Sequence, residues 1–171
     1  MRKFLFFFIT IILFSNKVLS LDLTITKGSI KPTPVAISNF FSSNDSTFRI
    51  GKNISMVISD NLERSGLFLP IDQKAFIQSP KSLSQGPRFE DWKVIKSQHL
   101  VSGKINKRGD KISVEFRLYD VFAQKELIGK KYETTEKNWR RVSHIISDAI
   151  FSRLTGDSGY FDTRIVYVAE T

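Results

Sequence analysis

From Ile112 to Leu118 apolar and polar residues alternate without a break. Ile112, Val114, Phe116 and Leu118 fall on one side, with Ser113, Glu115 and Arg117 on the other. A period of two marks a strand with one wet face, because successive side chains leave opposite sides of the pleat. Such a strand must sit in a sheet whose inner face something else covers. Its neighbours supply partners. Val101, Gly103 and Ile105 alternate ahead of Asn106–Asp110, which has the composition of a hairpin loop. After a turn around Phe122, Ala123 and Gln124 comes a further strand, Glu126 to Thr134. The predicted unit is a three-stranded antiparallel meander with one buried face.

Two helical stripes can cover that face. Ile50, Ile54, Val57, Ile58 and Leu62 recur at spacings of three and four, with Ser46 or Thr47 as the expected N-cap and Gly66 as the stop. Trp139, Val142, Ile145, Ile146, Ala149, Ile150 and Leu154 form the second stripe, between Asn138 as cap and Gly156 as end. Pro34–Phe40 and Leu67–Ile71 read as further strands, and Phe161–Val168 as a last one. Gln73–Arg88, with Pro80, Gly86, Pro87 and several serines, reads mostly as loop; Phe89, Trp92 and Ile95 predict one or two helical turns after it. The expected fold class is α/β: a mixed sheet of about five strands with two main helices packed on it.

The chain starts with Met1-Arg2-Lys3 and then an apolar run, Phe4 to Phe14, interrupted by one hydroxyl. A bilayer core needs about 20 apolar residues, so this run matches the central region of a signal peptide instead. Val18-Leu19-Ser20 supplies small or medium residues for cleavage after Ser20. The other outcomes for such a segment are an uncleaved anchor or a buried terminal helix. The basic start and the polar residues after Phe14 fit processing better. Residues 21–171 then form one domain that needs no staples to fold, and it has none, since the chain lacks cysteine. Lipid attachment through a cysteine thiol, thiolate chemistry and Cys-based metal sites are thereby excluded. Of the net charge of +9, Arg2, Lys3 and Lys17 belong to the leader, which leaves +6 on the processed chain. Export makes nucleic acid an unexpected partner for this basic surface; anionic envelope lipids or acidic protein surfaces remain, as does an ordinary solvated face.

Leu21-Asp-Leu-Thr-Ile-Thr-Lys27 alternates again, with Leu21, Leu23 and Ile25 on one side, and Gly28 ends it. Pro32 and Pro34 separate it from the domain by a stiff spacer. A short alternating segment at a terminus is either an edge strand or an arm that becomes a strand on meeting a partner.

Catalytic groups are sparse. His144 and Asp148 stand four apart on the last predicted helix and could share a flank, although such a spacing more often marks a surface pair. His99 opens a strand and is expected to be partly exposed there. No glycine-rich phosphate loop occurs, and no acids cluster with histidine at ligand spacing. No enzyme activity, metal or cofactor is expected. Lys104, Lys107, Arg108 and Lys111 flank the hairpin, while Lys130, Lys131, Lys137, Arg140 and Arg141 gather around the third strand and the last helix. They predict either a patch for anionic ligands, lipid or glycan, or a solvated face.

The order of these features resembles a known family. The arm ends in Thr26-Lys27-Gly28, Pro34-Val-Ala-Ile-Ser-Asn39-Phe40 follows, and the chain closes with His144-Ile-Ile-Ser-Asp-Ala-Ile150, Leu154-Thr-Gly156 and Gly159-Tyr-Phe-Asp-Thr-Arg-Ile-Val-Tyr-Val168. This is similar to the N-terminal domain of TolB proteins of the Tol–Pal envelope system, over essentially all of residues 21–171 and most loosely between Gln73 and Lys96. The resemblance implies a periplasmic, non-enzymatic adaptor involved in outer-membrane integrity and cell division. It implies that the arm, through Leu21, Leu23, Ile25, Thr26 and Gly28, engages TolA by strand addition. Asn39 stands where the family usually has proline. In the family a β-propeller that docks on Pal follows this domain. The implied organisation is a signal peptide (1–20), arm and spacer (21–33), α/β domain (34–160) and a strand (161–171) leading toward a propeller that this sequence lacks. The chain is therefore expected to be truncated or fragmentary, with Pal a partner only if a propeller is supplied elsewhere.

Overall fold

The computed structural model describes residues 31–163. In chain order the elements are β1 (Thr33–Ile37), α1 (Asp45–Arg64), β2 (Phe68–Pro70), the short helices α2 (Pro80–Leu83) and α3 (Phe89–Val94), β3 (His99–Arg108), β4 (Lys111–Asp120), β5 (Lys125–Thr135) and α4 (Trp139–Thr155). The strands form one sheet in the order β2-β1-β3-β4-β5. β1 runs parallel to both β2 and β3, while β3, β4 and β5 are the antiparallel meander that the alternation predicts. The fold is the expected mixed α/β sheet with two main helices on it. The predicted strand over 161–168 falls mostly outside the described residues, and its first two positions, Phe161 and Asp162, lie in a bend.

The apolar stripes meet where their periods place them. Ile54, Ile58 and Leu62 of α1 and Val142, Ile146 and Ile150 of α4 pack on Val35 and Ile37 of β1, Val101 and Ile105 of β3, and Ile112, Val114, Phe116 and Leu118 of β4. All are at most 5% exposed. Close approach depends on two glycines. A Cβ on Gly51 would strike the carbonyl of Phe40, and one on Gly103 would strike the Phe40 ring and the Glu115 carbonyl. Asn39 accepts a hydrogen bond from Ser55 Oγ of α1 at 2.8 Å.

The helix ends depart from expectation. Asn44, not Ser46 or Thr47, caps α1: its Oδ1 accepts from the Ser46 amide at 2.9 Å. Thr47 turns inward and shares a 2.6 Å hydrogen bond with Ser42 Oγ. Asn138 precedes α4 but makes no side-chain capping bond. The predicted loop Asn106–Asp110 narrows to Gly109-Asp110, because Arg108 pairs directly with Lys111. Within the predicted loop 73–88, Ser79 caps the short helix α2 by accepting from the Ser82 amide.

That segment folds over the opposite side of the sheet. Leu83, Trp92, Leu100, Tyr119, Val121 and Ala36 form a second, smaller core, flanked by Phe76, Phe89 and Ile95. Gln78 ties it together. Its Oε1 accepts from the Arg88 amide at 2.9 Å and from Trp92 Nε1 at 3.0 Å, while its Nε2 donates to the Gly86 carbonyl at 2.8 Å.

Candidate functional site

The arm residues Leu21, Leu23, Ile25, Thr26 and Gly28 lie outside the described residues, so the geometry available is that of their attachment. Lys31 and Pro32 lead into β1, whose first amide, Thr33 N, donates to the Leu67 carbonyl at 2.9 Å. β1 lies between β2 and β3. The chain ahead of it thus joins the fold at an interior strand.

The sheet has two edges of unlike character. β2 is three residues long and ends in Pro70, which cannot donate to a further strand. β5 is 11 residues long. One of its edge carbonyls, Leu127, accepts from Arg153 Nε at 3.1 Å, and it carries Lys125, Lys130 and Lys131.

His144 and Asp148 do not act together. His144 Nδ1 meets Asn61 Nδ2 at 2.9 Å, and the same amide nitrogen donates to Ser147 Oγ at 3.0 Å. Asn61 Oδ1 accepts from Arg64 Nη2 at 2.6 Å. A guanidinium can only donate, so Arg64 fixes which end of the Asn61 amide is oxygen. The nitrogen then faces His144, whose Nδ1 must be the acceptor and whose ring proton sits on Nε2. Asp148 instead accepts from the Phe161 amide at 2.7 Å and the Asp162 amide at 3.0 Å, holding the chain that follows α4 against the helix. Each residue joins separate parts of the fold.

His99 corrects the expectation of partial exposure. It is 9% exposed, and its Nδ1 is buried without a hydrogen-bond partner among the described residues. Burial lowers its pKa below the usual 6.5, outweighing the Asp120 carboxylate and the Tyr119 backbone, which pull the other way. Among the described residues no group of three or more His, Cys, Asp or Glu could hold a metal ion. No described helix is long and apolar enough to cross a membrane.

Much of the basic surface is neutralised locally. Lys104 meets Glu115 at 3.2 Å, Lys107 meets Glu136 at 2.6 Å, Lys131 meets Glu133 at 4.0 Å and Arg141 meets Asp162 at 3.4 Å. The Arg140 guanidinium lies 4.8 Å from the Trp139 ring centre. Arg108 and Lys111, side by side at the hairpin tip, have no carboxylate within 4.0 Å among the described residues. Sequence reasoning missed Asn61 and Gln78. Asn61 had a usable signal: a polar residue between Ile58 and Leu62 on an otherwise apolar stripe.

The family model for the TolB amino-terminal domain matches residues 21–127. The chain belongs to this family. The match starts at Leu21 and so takes in the alternating arm as part of the TolB amino-terminal domain. The Tol-Pal system protein TolB of Paramagnetospirillum magneticum is 51% identical over 148 residues, which is 86% of this chain and 33% of that protein. The crystal structure of TolB from Acinetobacter baumannii superimposes with a TM-score of 0.65 at 25% identity, covering 77% of this chain and 30% of that one. The chain therefore spans about a third of the length of these TolB relatives. Lipoprotein GNA1162 from Neisseria meningitidis shares the fold, with a TM-score of 0.50 at 13% identity over 72% of this chain and 98% of that one. Membership ties the chain to the Tol–Pal system.

Proposed function

We propose that this TolB amino-terminal domain is a non-enzymatic periplasmic adaptor of the Tol–Pal system. It binds TolA through the arm Leu21–Gly28 and contributes to outer-membrane integrity and envelope invagination at cell division. The family match that begins at Leu21 carries the reading, because it takes the alternating segment into the TolB amino-terminal domain. Strand addition is the mechanism: arm amides and carbonyls pair with a sheet edge of TolA, while Leu21, Leu23 and Ile25 fill alternate pockets. Thr26 and Gly28 belong to the same arm. Two observations favour an adaptor over an enzyme. The histidine and acid nearest to a dyad, His144 and Asp148, are engaged with different partners, and His99 is buried in the sheet.

The test is a titration of residues 21–171 against the periplasmic C-terminal domain of TolA, in parallel with a chain beginning at Thr33. Saturable binding that disappears with the arm is expected. Equal binding by the two chains, or none by a folded longer chain, would overturn the proposal.

A further inference from the structure

We propose that the tip of the β3–β4 hairpin is a binding site for a phosphate ester, separate from the arm. Opposite residues of an antiparallel ladder share a face. The register places Arg108 beside Lys111, then Asn106 beside Ser113 and Glu133, then Lys104 beside Glu115 and Lys131. These rows lie on the side of the sheet away from α1 and α4, beyond the part that the second core covers. They frame a hollow of about 470 Å³ in which Arg108, Lys111 and Lys131 stand against one lining carboxylate, Glu133.

Three features distinguish this hollow from a merely basic surface. Lys131 stands 4.0 Å from Glu133 on the hollow's face of β5 and adds a third cation to it. Among the described residues Arg108 and Lys111 have no such acid, and they supply the uncompensated charge. Ser113 Oγ, on the middle row, is buried and lacks a hydrogen-bond partner among the described residues. A buried hydroxyl normally finds a partner. One that lines a cationic hollow offers a donor to an incoming oxyanion. A planar fork, an ammonium and a hydroxyl aimed at one space suit a tetrahedral anion with several oxygens better than a single carboxylate. The ligand is a phosphate ester, carried by a lipid headgroup or by a soluble metabolite.

The site lies far from the start of β1. β1 and β3 run parallel with Val35 opposite His99, and the tip is at the other end of the ten-residue β3. At about 3.3 Å per residue that is roughly 30 Å. Phosphate-ester binding and TolA binding involve different residues, so the two tests can succeed or fail independently.

The test uses residues 21–171, labelled for NMR and titrated with sn-glycerol 3-phosphate. Phosphatidylcholine vesicles with and without phosphatidylglycerol are used for sedimentation. Saturable shifts confined to 106–113 and 131–133 are expected. R108A/K111A should weaken binding by about tenfold or more, and Ser113→Ala by a smaller but measurable factor. The control K52A/K74A removes the same charge from exposed positions elsewhere and should leave binding unchanged. Binding of the soluble ester assigns a soluble source, and binding of phosphatidylglycerol vesicles alone assigns a lipid one. Shifts that never saturate, shifts spread over the surface, an equal loss in K52A/K74A, or no effect of Ser113→Ala would each overturn the proposal.

Discussion

The two faces of this sheet are covered by different means. On one, α1 and α4 lay long aliphatic stripes over four strands, and side chains such as Ile54, Ile146 and Phe116 are at most 1% exposed. On the other, the 28 residues of chain between β2 and β3 contain only short helices, and they cover one end of the sheet. A face covered by regular helices is stabilised mainly by area removed from water, which is non-directional and tolerant of small shifts. A face covered by irregular chain must also satisfy backbone groups that no ladder pairs. Gln78 does this here, with its side-chain amide taking three hydrogen bonds from the segment it belongs to. The first face is robust because many contacts share the work; the second leans more heavily on directed bonds such as those of Gln78.

The largest effect should come from the first face. Ile146→Ala removes a fully buried side chain between α4 and the sheet. It should cost about 3–4 kcal/mol, lost transfer free energy plus a cavity. Urea unfolding followed by circular dichroism measures it. A cost below about 1 kcal/mol would mean that α4 re-packs easily and that the contrast between faces is wrong.

Gln78→Ala should come next, at about 2 kcal/mol, because it strands the Arg88 amide and the Trp92 indole N–H in a buried site. The pattern of the loss matters more than its size. Hydrogen exchange should accelerate across α2 and α3 while amides in β3 and β4 keep their protection. Uniform acceleration through the sheet would show instead that the second face is part of the global folding unit.

This difference also explains what was legible from sequence. Period-two and period-3.6 stripes are written directly in residue order, so Ile112–Leu118, Ile54–Leu62 and Val142–Ile150 could be assigned to one core before any coordinates were known. Phe89, Trp92 and Ile95 gave the same kind of signal for a short helix. Nothing periodic marks Gln78: its role depends on Arg88 and Trp92, 10 and 14 residues away, reaching it through irregular backbone. The Asn44 cap was missed because Asn44, Asp45, Ser46 and Thr47 are all capable caps, and tertiary contact with Ser42 decided which of them turned inward. The arm was legible as an alternating segment, but alternation cannot say which edge such a strand joins.

The smallest effect isolates a single buried ring. His99 is held neutral in the fold by burial, with its pKa below the usual 6.5. In the unfolded chain the ring takes up a proton once the pH drops below that value. Between the unfolded and the folded pKa the unfolded state therefore binds more protons, and stability must fall as the pH is lowered through this window. Asp120, beside His99 in the ladder, moderates the fall without reversing it. Urea midpoints measured between about pH 8 and pH 5 should decline for the native chain and decline less for His99→Gln, which has no proton to take up. His144 is the same in both chains, so the difference between the two curves belongs to His99 alone. Parallel curves would mean that water or local opening reaches the Nδ1 atom. In that case this end of β3 is less tightly closed than its buried neighbours Leu100 and Val101.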